Sequence, residues 1–126
     1  MNGTRLLIVD DEVDLLDMLR VVLGTSGFDV VTADSGMKAL MVADEAPPDV
    51  ILLDVMMGEM DGWEVLKLLK LDERTRDIPV IILSARTETR DKIRGLQEGA
   101  ADYVTKPFSV KELIERVSRV LDGSAG

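Results

Sequence analysis

The residues of this chain that could carry chemistry are polar side chains at the ends of apolar, strand-like runs. They are Asp10, Asp11, Asp54, Ser84 and Lys106. Taken one at a time, each also has an ordinary explanation. Asp10 and Asp11 could form a turn, with Asp11 as a helix cap, and Asp54 could be an ordinary loop residue. Ser84 could be a turn hydroxyl, and Lys106 could be a solvated surface residue. None of these separate explanations accounts for the position of all five residues at strand ends.

Three carboxylates at one edge of a sheet would form a strongly acidic site. At about 5 Å and an effective dielectric constant of about 20, each pair repels by roughly 3 kcal/mol. Such a cluster takes up protons or recruits a cation, since one lysine does not balance it. The chain contains no His and no Cys, so oxygen ligands and Mg²⁺ or a similar ion are expected. A carboxylate beside a divalent ion and an ammonium group suits phosphoryl transfer, with the carboxylate as nucleophile and a hydroxyl as donor to a phosphoryl oxygen.

Apolar runs alternate with amphipathic stretches along the chain, which predicts five β-α units. The predicted strands are Arg5–Val9, Asp29–Ala33, Val50–Leu53, Val80–Ser84 and Asp102–Thr105. The predicted helices are Val13–Leu23, Gly36–Glu45, Gly62–Leu71, Thr87–Glu98 and Ser109–Leu121. Gly24 and Gly27 would end the first helix, and Ser109 with Glu112 would form a capping box. We therefore predict an α/β fold, a flavodoxin-like five-stranded parallel sheet of order 2-1-3-4-5 with helices on both faces.

Length and composition limit the classes of function. The 126 residues predict a single domain, 1–126, with a core at about 5–121 and a loose tail or linker start at 122–126. The net charge of −9 argues against direct binding of nucleic acid or an anionic membrane by this domain. The apolar runs are too short to span a membrane, and no secretory signal is evident, so a cytoplasmic protein is expected.

Four sequence motifs resemble those of response-regulator receiver domains, the CheY-like modules of two-component signalling systems. They are LLIVDDE at Leu6–Glu12, VILLDVMMGEMDGWEVL at Val50–Leu66, VIILSA at Val80–Ala85 and GAADYVTKPF at Gly99–Phe108. The resemblance extends over roughly Arg5 to Leu121. It implies a phosphorylation-dependent switch rather than a conventional enzyme. The phosphoryl donor would be a phosphohistidine of a sensor histidine kinase or a histidine phosphotransfer protein, acting in trans because this chain has no His.

The resemblance also implies roles for individual residues at the acidic site. Asp54 would be the phosphoacceptor, forming an aspartyl phosphate that hydrolyses slowly. Asp11, Asp54 and the backbone carbonyl of Met56 would ligate Mg²⁺ directly, with Asp10 acting mainly through water. Lys106 would pair with the phosphoryl group.

A second set of implied roles concerns the switch itself. Ser84 would close on the phosphoryl group, and Tyr103 would rotate inward as Ser84 moves. The alternative for Tyr103 is a rim aromatic with its hydroxyl in water. The Lys106–Pro107 peptide bond is expected to be cis. The movement would alter the partner surface made by helix four, strand five and helix five.

That surface resembles the dimerisation face of the winged-helix transcription-factor subfamily. The matching residues are Lys92, Ile93, Leu96, Asp102, Glu112 and Arg116. Gln97 and Ala101 stand where that subfamily usually has acidic residues. A phosphorylation-dependent homodimer is therefore one expectation, and a merely solvated Lys92–Glu112 pair is the alternative.

Two residues near Asp54 depart from, or vary within, the family pattern. Gly58 stands where Pro is common, so a more mobile loop over the site is expected. Met56 occupies a position at which side chains tune dephosphorylation in relatives. Met56, Met57 and Met60, with Trp63, are expected mainly to pack beneath this loop and helix three.

Two other classes of function remain as alternatives. Flavodoxin-like sheets also bind FMN, but strand one meets two acids instead of a phosphate-binding loop, and no dinucleotide fingerprint or P-loop is present. A phosphatase with an aspartyl-phosphate intermediate would typically carry a D-x-D pattern after strand one, whereas Asp10, Asp11 and Glu12 are adjacent acids.

Overall fold

A computed structural model describes residues 3–56, 61–85 and 89–123, with the side chains of residues 89–92 outside the description. In these ranges strands and helices alternate as β1 (Arg5–Val9), α1 (Val13–Thr25), β2 (Asp29–Ala33), α2 (Gly36–Glu45), β3 (Val50–Asp54), α3 (Gly62–Leu71), β4 (Val80–Ser84), α4 (Thr89–Gln97), β5 (Asp102–Thr105) and α5 (Val110–Leu121). None of the helices described is long and apolar enough to cross a lipid bilayer.

The strands form one parallel sheet of order β2-β1-β3-β4-β5, which confirms the predicted topology. The order reverses between β1 and β3, and a crevice for ligands forms beyond the carboxyl ends of the strands at such a switch point. The register aligns these ends: Asp54 is opposite Leu83, and Ser84 is opposite Thr105. The last residues of the central strands therefore lie at one edge of the sheet.

Alternating side chains of the strands build a core on each face of the sheet. Every residue of β3 and β4 is buried, because helices cover both faces. One core packs beneath α2 and α3 and includes Leu7, Val9, Ile51, Leu53, Ile82 and Tyr103. The other packs beneath α1 and α5 and includes Leu6, Ile8, Leu52, Ile81, Leu83 and Leu113. The sheet is thus packed on both faces, and this packing holds its strand-end residues in place.

The end of α1 differs from the predicted one. Helix α1 continues to Thr25, so Gly24 lies inside it, and of these two glycines it is Gly27 that takes a positive φ, 100°. A glycine in a helix interior costs about 1 kcal/mol, which a packed helix can tolerate. The single backbone N–H of Ser26 is shared between the carbonyls of Val22, at 3.3 Å, and Leu23, at 3.1 Å, and closes the last turn.

Side-chain caps precede α2, α3 and α5, and α5 begins at Val110, one residue after the predicted Ser109. Ser35 Oγ accepts from Lys38 N at 3.2 Å, and Ser109 Oγ accepts from Glu112 N at 3.0 Å. The interpretation of Asp11 as a cap of α1 is wrong, because Glu12 is the N-cap residue and makes no side-chain capping bond. The pair Asp10-Asp11 therefore needs another explanation than capping.

Candidate functional site

The three predicted acidic residues converge at the end of the sheet. Asp10 follows β1 and is fully buried, Asp54 ends β3 and is 4% exposed, and Asp11 is exposed. Each contributes one carboxylate oxygen to a group of atoms that all lie within 4.8 Å of one another. This separation agrees with the predicted one, so the mutual repulsion expected from the sequence applies to the folded chain.

The two buried aspartates are oriented by the backbone that follows their strands. Asp10 Oδ1 accepts from Glu12 N at 2.9 Å, and Asp54 Oδ1 accepts from Met56 N at 2.9 Å. In both cases the side chain binds the amide two residues ahead and stabilises the turn. The second carboxylate oxygen of each aspartate is left to face the site.

Lys106 reaches into the acidic group from the end of β5. Its Nζ lies 2.7 Å from Asp10 Oδ2, 3.4 Å from Asp54 Oδ2 and 3.7 Å from Glu12 Oε1. Its backbone N–H donates to the carbonyl of Ser84 at 2.7 Å, and the Lys106–Pro107 peptide bond is cis, as predicted. The lysine thus binds most closely to Asp10, a partner that the sequence did not indicate.

Burial and neighbouring charges shift the protonation equilibria of this site. Burial raises the pKa of the Asp54 carboxyl above its ordinary value of 3.8, and the charge of Asp10 adds to the rise, while Met56 N–H and Lys106 oppose it. Burial alone would lower the pKa of Lys106, but its hydrogen bond to Asp10 and the surrounding carboxylates raise it above 10.5. The lysine therefore stays charged at neutral pH.

The donor set of the site fits a hard divalent cation. With Asp10, Asp11 and Asp54 ionised and Lys106 protonated, the four groups carry a net charge of −2, three negative charges against one positive. All three acids offer carboxylate oxygens, the ligands that Mg²⁺ and Ca²⁺ take. The cluster could therefore hold a metal ion.

The two predicted switch residues are both buried. Ser84 is the last residue of β4 and is 0% exposed. Tyr103 is 7% exposed and belongs to the core beneath α2 and α3. Its ring thus lies inside the protein, not at the rim that the alternative interpretation assumed.

Gly62 is a site residue that the sequence reasoning treated only as a helix start. A Cβ added to it would lie 2.5 Å from the carbonyl oxygen of Asp54, too close for any side chain. Its N–H donates to the carbonyl of Val55 at 3.1 Å. The first turn of α3, capped by Asp61, therefore packs directly on the backbone that carries Asp54. The Asp-Gly pair, a common turn signal, could have indicated this.

The predicted partner surface contains exposed apolar residues and an internal ion pair. Ile93 and Leu96 of α4 are 49% and 56% exposed. Arg116 Nη1 binds both carboxylate oxygens of Asp102, at 2.8 and 3.0 Å, and its Nη2 lies 4.0 Å from Glu112. The side chain of Lys92 lies outside the described residues.

Little of the predicted methionine packing falls within the described residues. Met56 is 49% exposed, whereas Met57, Gly58 and Met60 lie outside the description. Trp63 packs against the core beneath α2 and α3, and the guanidinium of Arg94 lies 4.3 Å from the centre of its ring.

Comparisons with known proteins agree with this fold. Residues 6–118 match the family described as the response regulator receiver domain. The chain is 44% identical over 117 residues to the DNA-binding dual master transcriptional regulator RpaA of Synechocystis, covering 93% of this chain and 48% of that protein. It is 46% identical over 117 residues to the phosphate regulon transcriptional regulatory protein PhoB of Klebsiella pneumoniae, covering 93% and 51%. The chain spans about half the length of these relatives.

Solved structures of similar fold include a Vibrio cholerae chemotaxis protein, CheY4, with a TM-score of 0.89 and 32% identity, covering 94% of this chain and 98% of that one. The receiver domain of the Francisella response regulator 1452 has a TM-score of 0.88 and 37% identity, covering 97% and 99%. This chain belongs to the response regulator receiver domain family. Its function is accordingly that of a receiver in two-component signalling, and its family implies a histidine kinase as partner. The named relatives are regulators rather than conventional enzymes.

Proposed function

We propose that this receiver is switched by transfer of a phosphoryl group to Asp54 from a phosphohistidine outside this chain. The observation that carries the proposal is the position of Asp54: it is buried at the end of β3, and its Oδ2 lies 3.4 Å from the ammonium group of Lys106. A carboxylate held beside a cation in a site that excludes most water is a suitable nucleophile for phosphorus.

The transfer is an in-line displacement on phosphorus. A carboxylate oxygen of Asp54 forms the new P–O bond while the P–N bond to the donor imidazole breaks, and the imidazole leaves with the electron pair and is protonated. Oδ1 of Asp54 accepts the 2.9 Å hydrogen bond from Met56 N–H that orients the carboxylate, and Oδ2 lies 3.4 Å from Lys106 Nζ. We assign the attack to Oδ2, because it lies beside the cation that pairs with the phosphoryl oxygens. Lys106 then neutralises charge on the phosphoryl oxygens.

We propose Mg²⁺ as the cofactor of this site. Asp11, Asp54 and the backbone carbonyl of Met56 would hold the ion directly. Asp10 accepts a hydrogen bond from Lys106 and would act on the ion mainly through water. When bound, the ion supplies positive charge that stabilises the transferring phosphoryl group. The product is an acyl phosphate, which water hydrolyses slowly, so the modification is transient.

The output of the switch is a change on the surface formed by α4, β5 and α5. Ser84 closes on the phosphoryl group, and the ring of Tyr103 occupies its inward position when Ser84 has closed. The exposed Ile93 and Leu96 then contribute to binding a partner, either a second copy of the chain or an effector. With a net charge of −9, this domain itself does not bind DNA, so a DNA-binding output would be supplied by another segment or protein. We place the protein in the cytoplasm on family grounds.

Incubation with acetyl phosphate and Mg²⁺ tests the acceptor role. Intact-mass measurement should show one added phosphoryl group on the unsubstituted chain and none on Asp54→Asn. Asp34→Asn is the matched control, because Asp34 follows β2 but pairs with Lys38 outside the acidic group. An unchanged mass for the unsubstituted chain, or equal phosphorylation of Asp54→Asn, would contradict the proposal.

Solution mass with and without beryllofluoride, a mimic of the acyl phosphate, tests the partner surface. We expect beryllofluoride to promote a dimer that Leu96→Asp weakens. Met37→Asp is the control, because Met37 is 60% exposed but lies on α2, away from this surface. A monomer under all conditions would refute homodimerisation, and equal weakening by both substitutions would refute the assignment of the surface.

A further inference from the structure

Helix α4 approaches the sheet at a glycine. Gly95 is buried, and a Cβ added to it would lie 3.0 Å from Ile82 Cδ1, 3.3 Å from Tyr103 Cδ2 and 3.8 Å from Trp63 Cη2. Carbon atoms in comfortable contact are about 3.5–4.0 Å apart. The first two distances are shorter, so the space left by the missing methyl group is already filled by the isoleucine and the tyrosine ring.

These neighbours differ in how easily they could yield to a methyl group. Ile82 is 0% exposed in β4, which is paired on both sides. Trp63 packs on the same core and lies beneath the guanidinium of Arg94. Tyr103 belongs to β5, the strand at the edge of the sheet, and it is 7% exposed, so it is enclosed less completely than Ile82. A side chain at position 95 would therefore displace the tyrosine ring before the other two.

We propose that Gly95 is a positioning residue of the switch: by having no side chain, it admits the ring of Tyr103 to the inward position that phosphorylation of Asp54 requires. This inference rests on the proposed function of Asp54 and Tyr103. It assigns Gly95 no contact with the phosphoryl group or the metal. Its effect on the acceptor site is transmitted through the tyrosine ring alone.

Crowding of the Tyr103 ring should weaken the binding of a phosphoryl mimic at Asp54. Ligand affinity falls in proportion to the fraction of molecules in the competent state. Crowding by one methyl group in a packed core shifts such an equilibrium by about tenfold. Gly95→Ala should therefore raise the apparent Kd for beryllofluoride by up to about tenfold, with Mg²⁺ at a fixed concentration.

Gly24→Ala is a matched control for this substitution. Gly24 also lies within a helix, and a Cβ added there would meet nothing within 4 Å. Both substitutions improve helix propensity by a similar amount, but only one crowds the core. Kd for beryllofluoride is measured by titration calorimetry on the intact chain and on each variant. The chain has one Tyr, so isotope-labelled tyrosine gives ring signals from Tyr103 alone, and a soluble gadolinium chelate reports their exposure by NMR.

The expected result is a more exposed Tyr103 ring and a weaker Kd in Gly95→Ala, with neither change in Gly24→Ala. In a chain that already carries Tyr103→Ala, Gly95→Ala should no longer change the Kd. The same double variant relieves the crowding, so it can be measured even if the single variant Gly95→Ala folds poorly. Unchanged ring exposure and Kd in Gly95→Ala, or a Kd effect that persists without the ring, would overturn the inference. If the unsubstituted chain does not bind beryllofluoride, the proposed function fails instead, and ring exposure still decides whether Gly95 positions Tyr103.

Discussion

Lys106→Met removes the only positive charge that the described structure places within the buried acidic group. Nζ of Lys106 lies 2.7 Å from Asp10 Oδ2 and 3.4 Å from Asp54 Oδ2, and the two carboxylate side chains are 1% and 6% exposed. Methionine keeps most of the length and apolar volume of the lysine stem. The substitution therefore tests the charge with little change in packing.

The loss of stability follows from these distances. At an effective dielectric constant of about 20, they correspond to gross attractions of about 6 and about 5 kcal/mol. Most of this is cancelled by the cost of removing the charges from water, and loss of one partner of a buried pair costs about 3–5 kcal/mol net. Because an orphaned carboxylate can take up a proton, we expect about 3 kcal/mol, at the lower end of that range.

Urea unfolding with a chelator present measures this loss. The chain has one Trp, so fluorescence reports on Trp63 alone. Lys38→Met is the control, because Lys38 Nζ lies 3.0 Å from Asp34 Oδ1 but the side chains are 64% and 41% exposed, and such a pair contributes less than about 1 kcal/mol. Adding Asp10→Asn to Lys106→Met should recover part of the loss, since it removes one unpaired buried charge. Equal effects of the two lysine substitutions, or no recovery, would refute the reasoning.

Three further substitutions have defined outcomes in urea unfolding. Burial raises the pKa of Asp54 above 3.8, so the ionised carboxylate destabilises the folded chain. Without Mg²⁺, Asp54→Asn should therefore increase the free energy of unfolding near neutral pH. This increase should vanish as the pH falls through the raised pKa toward 3.8, because the carboxyl is then protonated in both states. A gain that grows in acid would contradict this. Gly62→Ala places a Cβ 2.5 Å from the Asp54 carbonyl oxygen and should cost about 2 kcal/mol and slow phosphorylation; a neutral effect on both would be the contrary result. Thr75→Val removes the 2.7 Å hydrogen bond from a buried hydroxyl to the carbonyl of Leu69 and should cost about 1 kcal/mol, and unchanged stability would argue against that bond.

Strand positions were predictable because strands buried on both faces appear as short apolar runs. Four of the five predicted strands have the bounds seen in the structure. The third was predicted to end at Leu53, with Asp54 directly after it, yet Asp54 pairs with Leu83 inside the sheet. A buried carboxylate is tolerated there because Met56 N–H and Lys106 bind it. The sequence cannot show such compensation at a strand end.

The convergence of the site residues was also predictable, since it follows from parallel strands whose ends meet at one edge. Which partner each side chain would choose was not. Lys106 binds Asp10 most closely, although the two residues are 96 positions apart. The position of Arg94 over Trp63 depends likewise on how α4 packs beside α3. These contacts depend on side-chain geometry between distant segments, about which local patterns carry no information.

The role of Asp54 as the acceptor is tested by identifying the phosphorylated residue. The chain is incubated with acetyl phosphate and Mg²⁺, treated with borohydride, which reduces a phosphorylated aspartate to homoserine, and digested for peptide mass spectrometry. We expect homoserine at position 54 and at no other aspartate. Homoserine at Asp10 or Asp11 instead, or none anywhere in a chain that gained a phosphoryl group, would contradict the role of Asp54 as the acceptor.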